Sequence, residues 1–414
     1  MKKDTNLNHG IFRLFIVTGF ILVLSACNKD IPGPKPIVHS PINNSTTSLG
    51  SIIDTDTTYS FFKAAATRVG ALTSLNDINN VFTIFLPNND AFRISGIPSE
   101  AVIGVLPIQT VGAIVQYHII PGQQYTSAEI PETFPNIQLP SSLTIGQLPG
   151  TTIPLKMSIF PSRRGGSMWV NNIPVITPDL KFQNGVIHLV AAIVSPPSQV
   201  LRDALYSNPD LTYFKAAVAR ADSGQTGLSR LDSLLNYAVT NMTILAPNDA
   251  AFKTLLFGSI YGALLAQGAD PATAQAQAGA LSASPTVFEN PLLFPVLTAA
   301  TVRGILAYHF LASPNPVTSA FEPNIRVFSV NFPPLAATPF FVQTLVNSSF
   351  APHPGIIVAA TFTGPFVTNL NFTGLGTFPP GGAPYSGGAA TAVSLDKHAV
   401  NGVYYVLDKV LLPQ

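Results

Sequence analysis

The chain has 414 residues, 47% of them hydrophobic and only 10% charged, with a formal net charge of +1 and a single cysteine. That length allows two or three domains. The absence of a Lys/Arg-rich stretch argues against a nucleic-acid partner, and one cysteine excludes an intrachain disulfide or a Cys-based zinc site.

Taken in chain order, the first feature is an address. Residues 1–27 read M-K-K-D-T-N-L-N-H-G-I-F-R-L-F-I-V-T-G-F-I-L-V-L-S-A-C. Lys2, Lys3 and Arg13 precede an apolar run from Leu14 to Leu24. That run is short of the roughly 18 residues a spanning helix needs, so it reads as the core of a signal peptide. Leu24-Ser25-Ala26-Cys27 resembles a bacterial lipobox. The alternative is an ordinary signal peptide, but the only cysteine stands at the cleavage-ready position. The resemblance implies a signal peptide over 1–26 and lipid attachment at Cys27. Loss of Lys2, Lys3, Arg13 and Asp4 would then turn the net charge from +1 to −1. More than one acyl chain makes an anchor stable. Lys29-Asp30 beside the cysteine resembles the surface-export signal of Bacteroidetes-type lipoproteins. The expected location is the bacterial cell envelope, as an outer-membrane lipoprotein facing the exterior. Residues 27–50, rich in Pro, Ser, Thr and Asn, read as a semi-extended stalk.

Beyond the stalk the apolar residues are spread among 37 Pro and 30 Gly, as in a strand-rich protein. The chain then writes one text twice. Phe62-Lys63-Ala64-Ala65-Ala66-Thr67-Arg68 recurs as Phe214-Lys215-Ala216-Ala217-Val218-Ala219-Arg220. T-I-F-L-P-N-N-D-A-F at 83–92 recurs as T-I-L-A-P-N-D-A-A-F at 243–252. Tyr117-His118 recurs as Tyr308-His309, and N-G-V-I-H-L-V at 184–190 as N-G-V-Y-Y-V-L at 401–407. Four blocks in one order are a tandem duplication. The spacing places domain 1 at 51–197 and domain 2 at 198–414, the latter with insertions near 258–297 and 345–392. The first insertion is Ala/Gln-rich and helix-forming; the second is too rich in Gly and Pro for a regular element, so its aromatic residues are expected on loops.

These blocks resemble the fasciclin (FAS1) family over about residues 50–414. The resemblance implies an α+β fold: two tandem FAS1-like domains, each a bent β-sheet wedge with packed helices. It also implies adhesion or matrix binding without general catalytic residues. In that family the Tyr-His region has been associated with receptor recognition, which makes Tyr117, His118, Tyr308 and His309 candidate partner contacts. Their apolar flanks equally predict burial. The family pattern of a His and a later Asp-Lys pair is split here. Copy one has His188 but Ala191-Ala192; copy two has Asp408-Lys409 but Tyr405.

The repeated ten residues predict a strand–corner–helix joint. Pro87 and Pro247 end the strands, Asn88 and Asn248 cap the helices, and Asp90 and Asp249 place a carboxylate in the first turn. The shift of the acid by one position suits a cap better than a catalytic group. No His spacing fits a metal, and no nucleophile elbow or P-loop occurs. No catalytic residue, cofactor or metal site is assigned. Phe362, Phe366, Phe372, Phe378 and Tyr385 form the candidate binding insertion, with aromatic faces for a sugar ring or a protein partner; folding back as extra core is the alternative. Trp169 is expected to be half-buried packing.

The expected function is a lipid-anchored, non-catalytic adhesion or recognition module for an extracellular protein or polysaccharide. The alternative is a glycan-capture lipoprotein of an outer-membrane uptake system.

Overall fold

The computed structural model describes residues 46–334, 336, 338–348, 353–376 and 389–413. The expected signal peptide, Cys27, most of the stalk, Phe378 and Tyr385 lie outside the described residues. In the first half, helices α1 (Leu49–Thr55), α2 (Ser60–Arg68) and α3 (Ala71–Asn76) lead into β1 (Phe82–Pro87). Helices α4 (Asn89–Ile94), α5 (Glu100–Val105) and α6 (Ile108–Tyr117) follow. Then come β2 (Ile119–Pro121), β3 (Leu139–Gln147), β4 (Pro154–Ile159), β5 (Pro161–Arg164), β6 (Ser167–Val170), β7 (Ile173–Phe182) and β8 (Gly185–Val190). The second half opens with α7 (Leu201–Tyr206), α8 (Thr212–Ala221), α9 (Leu231–Asn236) and β9 (Met242–Pro247). It continues through α10 (Asp249–Ala266), α11 (Pro271–Ser282) and α12 (Ala299–Tyr308). Its strands are β10 (Ser313–Pro314), β11 (Phe321–Glu322), β12 (Phe340–Val342), β13 (Ile356–Thr363), β14 (Phe366–Thr373), β15 (Ala390–Ala399) and β16 (Gly402–Leu407).

The two halves share a five-strand order: β1-β8-β7-β6-β5 in the first matches β9-β16-β15-β14-β13 in the second. Each is a curled half-barrel with a sixth strand at a different end, β2 beside β1 and β12 beside β13. In both, the first long strand lies parallel to the last, with Phe82 opposite Gly185 and Met242 opposite Gly402. These strands are buried almost throughout because both of their faces are covered. Phe82, Ile84 and Leu86 pack against the helices with Phe62 and Phe92, while Phe85 points into a second core with Tyr117 and Ile159. Met242, Ile244 and Ala246 face the helices of the second half, and Leu245 faces its sheet core.

The repeated Asn-Gly has a steric reason. A Cβ on Gly185 would lie 2.0 Å from the Phe82 carbonyl oxygen, and one on Gly402 would lie 2.4 Å from that of Met242. The parallel strands can approach only where no side chain begins.

The first stretch of extra residues in the second half is helical. Helix α10 has 18 residues where α4 has six. Helix α11 is capped by Asp270, which accepts from the Ala272 and Thr273 amides ahead of Pro271 at the first position. The second stretch needs a correction. Phe362, Phe366 and Phe372 do not lie on a loop; they sit on the β13–β14 hairpin, which matches β5–β6 of the first half. F-V-T-N-L-N-F-T alternates, and Leu370 and Phe372 point into the core. The Gly and Pro around it disguised a regular strand.

Candidate functional site

Most polar residues written in both copies bond internally, and they do so in matching ways. The Asn88 side chain accepts from the Ala91 amide and that of Asn248 from the Ala251 amide, both at 2.8 Å. Both are N-caps, as the sequence predicts. Asp90 pairs with Arg93 at 2.6 Å on the exposed surface, where such a pair adds little. Asp249, however, is not a displaced Asp90. It stands where the first half has Asn89. Asn89 Oδ1 accepts from the Phe61 amide at 3.0 Å, and Asp249 Oδ1 accepts from the Tyr213 amide at 2.9 Å. Each side chain ties the helix after the strand to the helix before it. Asp249→Asn is therefore expected to change stability by less than about 0.5 kcal/mol, whereas Asp249→Ala should cost about 1 kcal/mol in urea unfolding.

The Asn of each Asn-Gly is a three-way tie. Asn184 accepts from the Leu49 amide at 2.8 Å and donates to the Leu75 and Asp77 carbonyls. Asn401 accepts from the Leu201 amide at 2.7 Å and donates to the Leu235 and Tyr237 carbonyls. Thr83 donates to the Gln123 carbonyl and accepts from the Tyr125 amide; Thr243 does the same with Ile325 and Val327.

The Tyr-His pairs are fully buried, so these side chains offer no surface to a partner. His118 Nδ1 donates to the Ile114 carbonyl at 2.7 Å, and its Nε2 accepts from the Val194 amide at 3.0 Å. His309 is bonded likewise to Ile305 and Leu411. Each ring pins the end of a helix to the segment after the last strand. The Tyr117 hydroxyl donates to the Ser158 carbonyl and that of Tyr308 to the Gly355 carbonyl. Burial pulls both histidines down to about 4, so they are neutral in the fold. The unfolded chain binds two protons near pH 6.5 that the folded chain refuses. Stability is therefore complete above pH 6.5 and is lost as pH falls toward 4. A melting series from pH 7.5 to 4 should show this fall, and it should be weaker in His118→Asn.

The split fourth block is a chemical substitution. His188 Nε2 donates to the Tyr125 carbonyl at 2.9 Å, and the Tyr405 hydroxyl reaches the equivalent Val327 carbonyl at 2.7 Å. A phenol replaces an imidazole without losing the bond. Beside each lies a clamp that sequence reasoning missed. Asp179 receives the amide and hydroxyl of Ser127, at 2.6 and 2.5 Å. Asp396 receives those of Ser329, at 2.7 and 2.5 Å. Both aspartates have positive φ, at 64° and 51°, within irregular strand pairing. Asp is among the residues that tolerate this conformation. A lone Asp in a strand-like segment was the available signal. Asp408 accepts from the Thr391 amide at 2.7 Å.

The two halves meet through a shared core. Phe160 and Trp169 of the first half pack with Phe328, Phe332 and Tyr405 of the second. Trp169 is 3% exposed, more deeply buried than expected, and its indole N–H donates to the Pro365 carbonyl at 2.8 Å. The Arg164 guanidinium lies 4.3 Å from the Phe362 ring centre and 5.7 Å from that of Trp169, and it donates to the Phe332 carbonyl. Arg326 lies 4.8 Å from the Phe160 ring centre and donates to the Ala399 and Val400 carbonyls. Burial pulls its guanidinium down to about 10. Of the candidate aromatics, Phe362 thus belongs to the seam between halves, Phe372 is core, and Phe366 is 57% exposed at the hairpin tip.

An open cleft of about 480 Å³ lies at the start of β1, between Asn79, Asn80, Pro121 and Ser142. Among the described residues no three His, Cys, Asp or Glu side chains gather as a metal site, and no helix is long and apolar enough to cross a membrane.

This is an α+β structure of two halves built on one strand plan. Residues 57–196 match the Fasciclin domain family. Protein sll1483 from Synechocystis sp. (strain ATCC 27184 / PCC 6803 / Kazusa) is 25% identical over 187 residues, 44% of this chain and 93% of that protein. The transforming growth factor-beta-induced protein ig-h3 of Sus scrofa is 24% identical over 235 residues. That match spans 56% of this chain but only 30% of the pig protein. Among solved structures, a FAS1 domain pair from the insect cell adhesion molecule fasciclin I aligns with a TM-score of 0.32 and 14% identity. It covers 85% of this chain and 96% of that one.

Proposed function

We propose that this chain is a lipid-anchored cell-envelope protein, exposed at the surface, whose two domains act as a non-catalytic adhesion or recognition module. Its partner is an extracellular protein or glycan. The observation that carries this reading is the internal commitment of the repeated polar groups. Asn88, His118, Asn184 and their counterparts hold helices and strands in place. A scaffold kept twice with its polar groups turned inward suits a recognition module, whose ligand meets the outer surface. Fasciclin domains are associated with adhesion, and the match over 57–196 agrees with this reading.

The test uses the full chain in its host. Cys27→Ala should move the protein from the membrane fraction to the soluble fraction, and protease shaving of intact cells should remove the wild-type head. Unchanged membrane attachment in Cys27→Ala would refute the anchor. A purified chain that captures neither an extracellular protein nor a glycan would refute the recognition role. Glycan capture for uptake is the second reading, favoured by the exposed ring of Phe366.

A further inference from the structure

One pair of residues at the seam belongs to the second half alone. Thr243 bonds the backbone of Ile325 and Val327 as Thr83 bonds that of Gln123 and Tyr125, so Arg326 stands where the first half has Gln124. Asp396 to Gly402 matches Asp179 to Gly185, so His398 stands where the first half has Lys181. In the first half Lys181 is exposed, and Gln124 Nε2 is buried without a hydrogen-bond partner among the described residues. The shared scaffold therefore closes without an Arg–His pair.

Arg326 is 4% exposed, and its guanidinium lies over the Phe160 ring of the first half at 4.8 Å. Nη1 donates to His398 Nε2 at 3.0 Å, so that nitrogen carries no proton. Nη2 donates to the Val400 carbonyl at 3.0 Å, and Nε is buried without a partner among the described residues. Among the described residues no carboxylate forms an ion pair with Arg326. The half-buried His398 ring meets Phe328 edge-on at 5.2 Å, and Phe328 meets Phe160 at 5.8 Å. The first half thus covers the pair. On the same strand, Asp396 is turned to Ser329 and the Tyr405 hydroxyl and is approached by Asn172 of the first half. Lys397 is exposed, and Val403 lies opposite His398 on β16. Tyr117 of the first half, pushed up to about 12 chiefly by burial, stays neutral in acid.

We infer that the Arg326–His398 pair makes the seam acid-sensitive: a proton on His398 parts the two halves while each keeps its own fold. At Nε2 that proton displaces the guanidinium hydrogen bond and sets two cations 3.0 Å apart. Relief needs water, which the Phe160–Phe328 contact excludes. Burial first, and then Arg326, hold the imidazole well below its ordinary value. The closed seam is therefore fully favoured above about pH 6.5, and the open fraction grows up to about tenfold per unit as the pH falls below it. Asp396 has the opposite sign, because burial raises its carboxyl and acid then favours the closed state. Once parted, the halves move independently and can meet partners one at a time.

Trp169, the only tryptophan of the chain and part of the seam, reports the opening. The full-length detergent-solubilised protein is taken from about pH 7.5 to about pH 4.5, the range in which an ordinary histidine titrates. Trp169 emission should shift to the red and its quenching by acrylamide should rise about twofold or more, reversibly and with an unchanged far-UV signal. His398→Gln keeps an acceptor for Arg326 but cannot take the proton, so it should hold the neutral-pH values throughout. Arg326→Gln installs the residue type of the first half, removes the second cation and should flatten the response as well. An acid response of the same size and midpoint in His398→Gln overturns the inference and points to His118 or His309, each of which acts within one half. If His398→Gln does not fold, the same response in Arg326→Gln overturns it. So does a wild type whose Trp169 stays shielded at about pH 4.5, or is exposed only as the far-UV signal is lost.

Discussion

Trp169→Ala is expected to destabilise the protein by about 3–5 kcal/mol and to split its unfolding into two steps. The indole is almost fully buried between the halves and also donates to the Pro365 carbonyl. Its removal leaves a cavity beside Phe328, Phe332 and Arg164, and it takes the donor from the Pro365 carbonyl. Each half has its own helix-side core, formed by separate sets of residues. The halves can therefore stay folded once the seam fails. Calorimetry of the wild type should show one cooperative transition, because the sheet-side core of the second half includes side chains of the first. A single transition in Trp169→Ala, displaced by less than about 1 kcal/mol, would mean that the seam is incidental.

Gly185→Ala should cost about 3 kcal/mol or more, a large effect for one methyl group. Its Cβ would fall 2.0 Å from the Phe82 carbonyl oxygen and 2.8 Å from Leu49 Cδ1. Leu49 can turn, but the carbonyl belongs to a strand fixed by its ladder to β8. The strands must separate at the point where Asn184 ties Leu49, Leu75 and Asp77 together. Urea unfolding should show the loss in the first half. Gly70→Ala is the informative control: Gly70 has φ of 73° but open space for a Cβ, so its penalty is conformational only. If the two variants cost the same, close approach is not why Gly185 is needed.

The readable parts of the molecule were those built from neighbours in sequence. A β-branched run, a Pro and an Asn in succession announce a strand, a stop and a cap, and Asn88 and Asn248 do what that order predicts. The duplication was legible because four blocks kept their order. The role of Asp249 was not, since the Tyr213 amide it holds lies 36 residues away and only the aligned Asn89 reveals the job. The Ser127–Asp179 clamp spans 52 residues and depends on a left-handed backbone at one strand position. Neither condition leaves a periodic trace. The seam was the least legible part. Phe160, Arg164 and Trp169 have different residue types at the matching places of the second half, so repetition hid them.

The pairing of β1 with β8, and of β9 with β16, also sets an order of events in synthesis. Each half opens with helices and a strand whose parallel partner is made about a hundred residues or more later. Such distant closure is slow compared with helix formation. The first half cannot close until Gly185–Val190 has emerged, and the second cannot close until Gly402–Leu407 has. Between those moments Phe160 and Trp169 face water on a finished sheet, the period in which a nascent chain is most exposed to wrong partners. A chain stopped before residue 402 should therefore present a folded first half with a sticky flank, visible as dye binding that vanishes when the full length is made.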